Sequence, residues 1–149
     1  MKKKLLRGGL AVALLLAPAF AAADKIDDAI AYRKAVMEAQ KWNLGQMAAM
    51  VKGSVAYDKA AFVRYAQWLD ELSPMPWDGF PKGSDVGDTK ARADIWNKPA
   101  EFSDKAKALE TESAKLVEVA RSGDMGKIRF QFGQTAQTCK ACHKTFKDR

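Results

Sequence analysis

Histidine and cysteine are nearly absent from this chain. Of its 149 residues, one is a histidine, His143, and two are cysteines, Cys139 and Cys142. A structural zinc site takes four ligands, so these three residues could hold zinc only if carboxylates joined them. A thioredoxin-type redox pair is also disfavoured. That site occurs beside a βαβ pattern, and the chain shows no sustained alternation of apolar and polar residues typical of half-buried strands.

A long apolar segment is also lacking. The apolar run from Leu10 to Leu16 is far shorter than the roughly 20 residues of a membrane-spanning helix. It follows a basic start and precedes Pro18 and small residues of the Ala-x-Ala type, which is the pattern of a secretory signal peptide. We predict a cleaved signal peptide at residues 1–23, a mature domain at residues 24–149, a periplasmic location and no stable membrane insertion.

The mature chain has no strong excess of charge. Residues 1–23 hold four positive charges and no acidic residue, so their removal reduces the formal net charge from +7 to +3. No segment rich in Lys and Arg has aromatic residues interleaved with it, as expected at a nucleic-acid interface. The composition therefore excludes nucleic-acid binding as the leading function.

Helical patterns dominate from Asp24 onward. Residues spaced three, four or seven apart lie along one side of the first predicted helix. They are Ile26, Ile30, Arg33, Met37, Leu44, Met47 and Val51. Gly53 can end this helix. Asp58 can cap a second helix whose inward residues are Phe62, Tyr65, Leu69 and Leu72. Pro74 and Pro76 end that helix. Ser73 to Asp88 contains three prolines and three glycines, which predicts a long irregular connection rather than a packed element.

Two further helices complete the pattern, after a short helical turn predicted within residues 91–96. Pro99 suits the first turn of the third helix, and Gly123 lies at its exit. Asp124 can cap the fourth helix, on one side of which lie Ile128, Phe132, Thr135, Cys139, Cys142, His143 and Phe146. Four amphipathic helices with mostly short connections predict an all-α fold, an antiparallel four-helix bundle that holds a cofactor between facing helices.

The segment Cys139-Lys140-Ala141-Cys142-His143 has the C-x-x-C-H spacing of c-type haem attachment. Residues i, i+3 and i+4 share one face of a helix, so Cys139 and Cys142 can form two thioethers to one porphyrin while His143 binds its iron. A disulfide between the two cysteines is the alternative in an exported protein. It would strain a helical segment and leave His143 without a role.

The sixth iron position has several candidate occupants. Because His143 is the only histidine, ligation by two histidines is excluded, and the position is open or is held by a methionine thioether or a lysine amine. Met37, Met47 and Met50 lie on the first predicted helix. Methionine at helical spacing is more often a core residue than a ligand.

The sequence resembles the cytochrome c prime family of class II c-type cytochromes over essentially the whole mature chain. Besides the C-terminal CKACHKTF, the likeness rests on Arg33 to Met37, Trp42 to Gly45, Val51 to Gly53, Ile95-Trp96 and Phe132-Gly133. The resemblance implies a four-helix bundle with one covalent haem c, five-coordinate and high-spin, whose distal side is covered by Met37. In the related low-spin cytochromes c-556 a methionine of this helix binds the iron, so the alternative is an electron carrier with Met37 as sixth ligand.

The resemblance also assigns roles to charged residues. Arg33 corresponds to an arginine beside a haem propionate, although a solvated surface cation is the competing interpretation. Lys34 stands where relatives often have glutamine and is a weaker haem contact. Asp94 stands where many relatives place a carboxylate near the haem. Lys147 replaces an arginine usually found four residues after the haem-binding histidine, which keeps the charge but loses the planar donor fork.

The function implied is binding of nitric oxide and carbon monoxide, together with single-electron exchange with an unidentified redox partner. A peroxidase is disfavoured because no second histidine can serve as a distal acid or base, so the protein is not expected to be an enzyme. The resemblance further implies a homodimer formed through the first two helices. Val63, Trp68 and Met50 could line that interface or belong to the core.

Overall fold

The computed structural model describes residues 17–148, with side chains from Lys25 onward. Its helices are α1 (Ala17–Val51), α2 (Lys59–Leu72), a 3₁₀ helix (Met75–Gly79), α3 (Asp94–Asn97), α4 (Pro99–Ser122) and α5 (Met125–Phe146). Residues 17–148 contain no strand, only a single bridge between Ala91 and Lys147. The signal peptide predicted at residues 1–23 precedes Lys25, the first residue whose side chain is described, and it stays a prediction.

The four long helices pack in a ring. Helix α1 packs against α2, α2 against α4, α4 against α5, and α5 returns to α1. The predicted all-α four-helix bundle is therefore confirmed. None of the helices in the described part of the chain is long and apolar enough to cross a membrane.

The helix ends follow the local signals of the sequence. Asp58 accepts a hydrogen bond from the Ala61 amide at the start of α2, and Asp124 accepts from two amides at the start of α5. Gly123, which ends α4, has a φ of +74°, a left-handed conformation that costs glycine little. These capping predictions are confirmed, and α3 overlaps the predicted short helical turn at residues 91–96, beginning three residues later and ending one residue later.

An apolar core fills one end of the bundle. All four long helices contribute to it, through Met47, Met50, Phe62, Ala66, Leu69, Leu116, Val117, Ala120 and Ile128. Val63 packs against this core, whereas Trp68 is exposed. Met47 and Met50 are thus core residues, as methionine at helical spacing usually is.

The connection after α2 is more ordered than the sequence predicts. Its 3₁₀ helix packs against α1, and Pro76, Gly79 and Ser84 are buried. The expectation of an unpacked connection is therefore wrong. Proline fixes φ near the value of a tight helical turn, so Pro74 and Pro76 favour the 3₁₀ helix, and the side chain of Arg33 satisfies carbonyl groups of the segment that follows.

Gly79 lies where the 3₁₀ helix meets α1. A Cβ atom at this position would come within 2.6 Å of the Arg33 Cβ and 2.9 Å of the Ala29 carbonyl oxygen. We expect Gly79→Ala to lower the free energy of unfolding by roughly 1–3 kcal/mol, as overpacking does. Urea unfolding followed by circular dichroism measures this change.

Gly45 in α1 supplies the matched control, because an added Cβ there meets nothing within 4 Å. Gly45→Ala should stabilise the protein by about 0.5–1 kcal/mol, since alanine favours a helix interior over glycine. Equal stability of Gly79→Ala and the wild type would show that the 3₁₀ helix does not pack this closely on α1.

Candidate haem-binding site

A cavity of about 840 Å³ lies at the end of the bundle where α4 begins and α5 ends. Its walls come from α1, the 3₁₀ helix, residues 87–91, α4 and α5. The cavity brings together six of the residues that the sequence analysis selects, namely Arg33, Lys34, Met37, Cys139, Cys142 and His143. Asp94, the seventh, is not among its lining residues.

Helix α5 presents the attachment motif to this cavity. Cys139 and Cys142 are half-buried free thiols. Burial raises the pKa of Cys139, and burial together with the nearby Cys139 raises the pKa of Cys142 to about 11. Burial and then the positive charge of Lys147 lower the pKa of His143. The imidazole is therefore neutral at pH 7, the form that coordinates a metal ion.

Aromatic side chains form the apolar wall of the cavity. Phe80 and Phe102 are in edge contact with ring centroids 5.1 Å apart, and Phe102 meets Phe146 in the same way at 5.3 Å. Trp77 contacts Phe80 and Phe102, and its indole nitrogen donates to Glu110 at 3.0 Å. Sequence reasoning misses Trp77 and Phe80, because both lie in a segment whose prolines and glycines indicate only an irregular connection.

Arg33 is buried and is bonded to the connection that borders the cavity. Its Nη1 donates to the Gly79 carbonyl at 2.7 Å and to the Ser84 hydroxyl at 2.6 Å. Its Nη2 donates to the Ser84 carbonyl and the Thr89 hydroxyl, each at 2.6 Å. The guanidinium also lies over the Phe80 ring, 4.3 Å from its centroid.

The burial of Arg33 excludes one of the two interpretations of this residue. Only 2% of its surface is exposed, so the solvated surface cation is wrong. Burial lowers the pKa of Arg33 and the nearby Asp85 opposes that effect, yet arginine stays protonated in proteins. Contact with a haem propionate stays a prediction, because the four hydrogen bonds seen are all to protein groups.

The other predicted charged residues differ in their positions. Lys34 lines the cavity and forms an exposed ion pair with Asp88, another lining residue. Lys147 also lines the cavity, next to His143. Asp94, by contrast, does not line the cavity, and its carboxylate forms an ion pair with Arg92 at 2.8 Å. The haem contact predicted for Asp94 stays a prediction that this geometry does not support.

The residues present fit a covalently attached haem. The cavity volume falls within the range of about 300–1,000 Å³ typical of cofactor sites, and most of the surface that lines the cavity is apolar. Two thiols and a neutral imidazole lie on one wall at the spacing that attachment requires. Lys34, Lys90 and Lys147 at the rim can pair with propionates. Among the described residues, no three or more His, Cys, Asp and Glu side chains are grouped so that they could hold a metal ion by themselves.

Fold and site together define a c-type haem protein of the helical-bundle class. The family model described as Cytochrome C' matches residues 28–147. The chain belongs to this family, cytochrome c prime, whose proteins carry covalently attached haem c with iron.

Individual relatives agree over most of their length. The chain is 36% identical to a cytochrome c' of Alcaligenes xylosoxydans xylosoxydans over 123 residues, which covers 83% of this chain and 95% of that protein. A cytochrome c prime structure from Shewanella frigidimarina is similar with a TM-score of 0.82 at 40% identity, covering 83% of this chain and 97% of that one.

A further similar structure is a nitric oxide complex of a cytochrome c prime mutant from Alcaligenes xylosoxidans. Its TM-score is 0.77 at 35% identity, and the match covers 83% of this chain and 96% of that chain.

Proposed function

We propose that this protein is an exported haem protein with an open sixth iron position, which binds nitric oxide and carbon monoxide there and exchanges single electrons. The observation that carries this proposal is the position of Met37. It is the only methionine among the residues lining the cavity, and α1 supplies it to a wall different from the one on α5 that supplies His143. Met47 and Met50 are held in the core.

The binding residues have separate roles. Cys139 and Cys142 tether the porphyrin to α5 and fix its orientation. His143 provides the proximal nitrogen. Met37 is half-buried and unbranched with several rotatable bonds, so its side chain can cover the distal side and move aside for a small ligand. The bound haem supplies an iron that accepts a diatomic gas or one electron.

The polar neighbours of Met37 are engaged elsewhere. Gln40 donates to the Leu72 carbonyl at 2.9 Å, and Lys41 donates to Glu38 at 2.8 Å. Met37, the side chain that covers the distal side, itself donates no hydrogen bond. A hydrogen-bond donor stabilises anionic ligands and bound dioxygen, whereas nitric oxide and carbon monoxide bind without one. The nitric oxide complex of a relative supports this choice of ligands.

The same environment argues against an enzyme. General acid–base catalysis needs a group of suitable pKa within hydrogen-bond reach of the reacting atom. The chain has no histidine besides His143, and Glu38 is an exposed residue paired with Lys41. The proposed chemistry is therefore ligand binding and electron exchange.

Location and assembly complete the proposal. The leader at residues 1–23 would direct the chain to the periplasm. We propose a homodimer through α1 and α2, where Trp42 and Trp68 are 66% and 44% exposed, since exposed aromatic residues are enriched at protein interfaces.

Titration of the reduced haem protein with carbon monoxide tests the open site. We expect the absorption bands to shift with one ligand bound per chain. The control is cyanide added to the oxidised protein, which should bind poorly because the apolar Met37 side chain covers the distal side and donates no hydrogen bond to an anion. If the absorption spectrum of the reduced protein does not change when carbon monoxide is added, the proposal is overturned, and an electron carrier with Met37 bound to iron is favoured.

A further inference from the structure

Helix α5, which carries the attachment motif, contains no acidic residue. Between Met125 and Phe146 its charged residues are Lys127, Arg129, Lys140, Lys144 and, when protonated, His143. Lys140 and Lys144 directly follow Cys139 and His143 in the chain, and both are exposed. Positive charge therefore lies beside the attachment motif with no carboxylate from the same helix to balance it.

Two lysines of the cavity rim extend this charge. Lys147 follows α5 and Lys105 lies on α4, where its charge acts on Cys142. We call Lys105, Lys140, Lys144 and Lys147 the basic face. None of the four forms an ion pair with another residue of the range 25–148.

On the opposite side of the cavity most charges are paired, and Lys90 is the lining lysine there without an ion pair to another residue of the range 25–148. Lys34 pairs with Asp88, and Lys41 pairs with Glu38. Next to these, Arg92 pairs with Asp94 and lies 3.8 Å from Asp148. The uncompensated charge is therefore concentrated on the α4 and α5 side, next to the residues that attach the haem.

We propose that the basic face is the docking surface for an acidic redox protein, which exchanges one electron with the haem there. The proposal rests on the electron exchange proposed above. Unpaired charge of one sign steers a partner of opposite charge and sets its orientation. A partner seated on Lys140 and Lys144 lies against the helix that tethers the haem. One electron then leaves the reduced protein, which becomes oxidised, as a one-electron acceptor on the partner is reduced.

The first test measures oxidation of the reduced haem protein by two small oxidants of opposite charge. Hexacyanoferrate(III) should react faster than tris(phenanthroline)cobalt(III) after correction for driving force, and added salt should slow the anionic oxidant. Lys140→Glu combined with Lys144→Glu should slow hexacyanoferrate(III) at low salt by about tenfold, within the range of electrostatic steering.

The matched control places the same charge change at the other end of the bundle. Lys52 and Arg129 are exposed and form no ion pair within residues 25–148. Lys52→Glu combined with Arg129→Glu should change the rate by less than about twofold at the same salt concentration, because these charges are far from the attachment motif and the Coulomb energy falls with distance. Equal slowing in both double variants would show that only net charge matters and would overturn the proposal.

A second readout does not depend on electron transfer. In the carbon monoxide complex of the reduced haem protein, which is diamagnetic, hexacyanochromate(III), a redox-inert paramagnetic anion, should broaden the amide signals of residues 140–147 more than those of residues 125–132. Broadening spread evenly over the surface would overturn the docking surface. If neither oxidant oxidises the protein but the signals of residues 140–147 are broadened, electron exchange is contradicted instead.

Vesicles of anionic phospholipid test a membrane as the occupant of the basic face. Binding to these vesicles that is lost in Lys140→Glu combined with Lys144→Glu would identify a membrane as the occupant and overturn a protein partner.

Discussion

Met37→Ala should bind carbon monoxide and nitric oxide at least about tenfold faster than the wild-type protein. Met37 is the side chain that covers the distal side of the haem in the proposed site, and a ligand must displace it. A displacement cost of only about 1.4 kcal/mol slows association tenfold, and alanine removes that cost. Flash photolysis of the carbon monoxide complex, or stopped-flow mixing with nitric oxide, measures the association rate.

Met37→Leu separates shielding from ligation. Leucine keeps most of the volume of methionine but has no thioether, and exchange of the two side chains disturbs packing little. If Met37 only shields the iron, the leucine variant keeps the wild-type spectrum and binds gas at a rate much nearer to wild type than to Met37→Ala. A low-spin wild type that becomes high-spin in both variants would show that Met37 is an iron ligand.

Arg33→Ala should lower the free energy of unfolding by about 2–4 kcal/mol. The substitution removes a buried cation that makes four hydrogen bonds, and each buried acceptor left without a donor costs about 1–3 kcal/mol. Water reaching the connection after α2 recovers part of that cost. Urea unfolding at constant pH measures the change as a lower midpoint with an unaltered slope.

Two further variants give this prediction a sharp control. Arg33→Lys keeps the charge but cannot reproduce the planar donor fork, so it should recover only a minor part of the lost stability. Arg129→Ala removes an exposed arginine from α5 and should change stability by less than about 0.5 kcal/mol. If Arg33→Ala unfolded at the wild-type urea concentration, Arg33 would not hold the connection in place.

The helical framework could be predicted because its signals are local. Asp58 and Asp124 lie at the N-caps of their helices, Pro99 opens α4, and Gly123 adopts the left-handed conformation. Each signal acts within a few residues of its own position. The side of α5 that faces the cavity follows from the spacing of Cys139, Cys142 and His143 in the same way.

The environment of Arg33 could not be predicted, because its partners are 46 to 56 residues away in the chain. Helical spacing places Arg33 beside the apolar stripe of α1 but does not identify what covers it. The same limit applies to Trp77 and Phe80, whose contacts with Phe102 depend on how the 3₁₀ helix folds back onto α1 and α4. The basic face is hard to predict for another reason, since the acidic residues that offset the net charge lie outside α5, which carries Lys140 and Lys144.

Electron paramagnetic resonance of the oxidised, ligand-free haem protein tests the central claim most directly. The iron has one protein ligand, His143, and an open sixth position in this account, so the spectrum should be high-spin and should change when nitric oxide is added. A low-spin spectrum that nitric oxide leaves unchanged would contradict the account, because it would mean that a side chain such as Met37 occupies the sixth position.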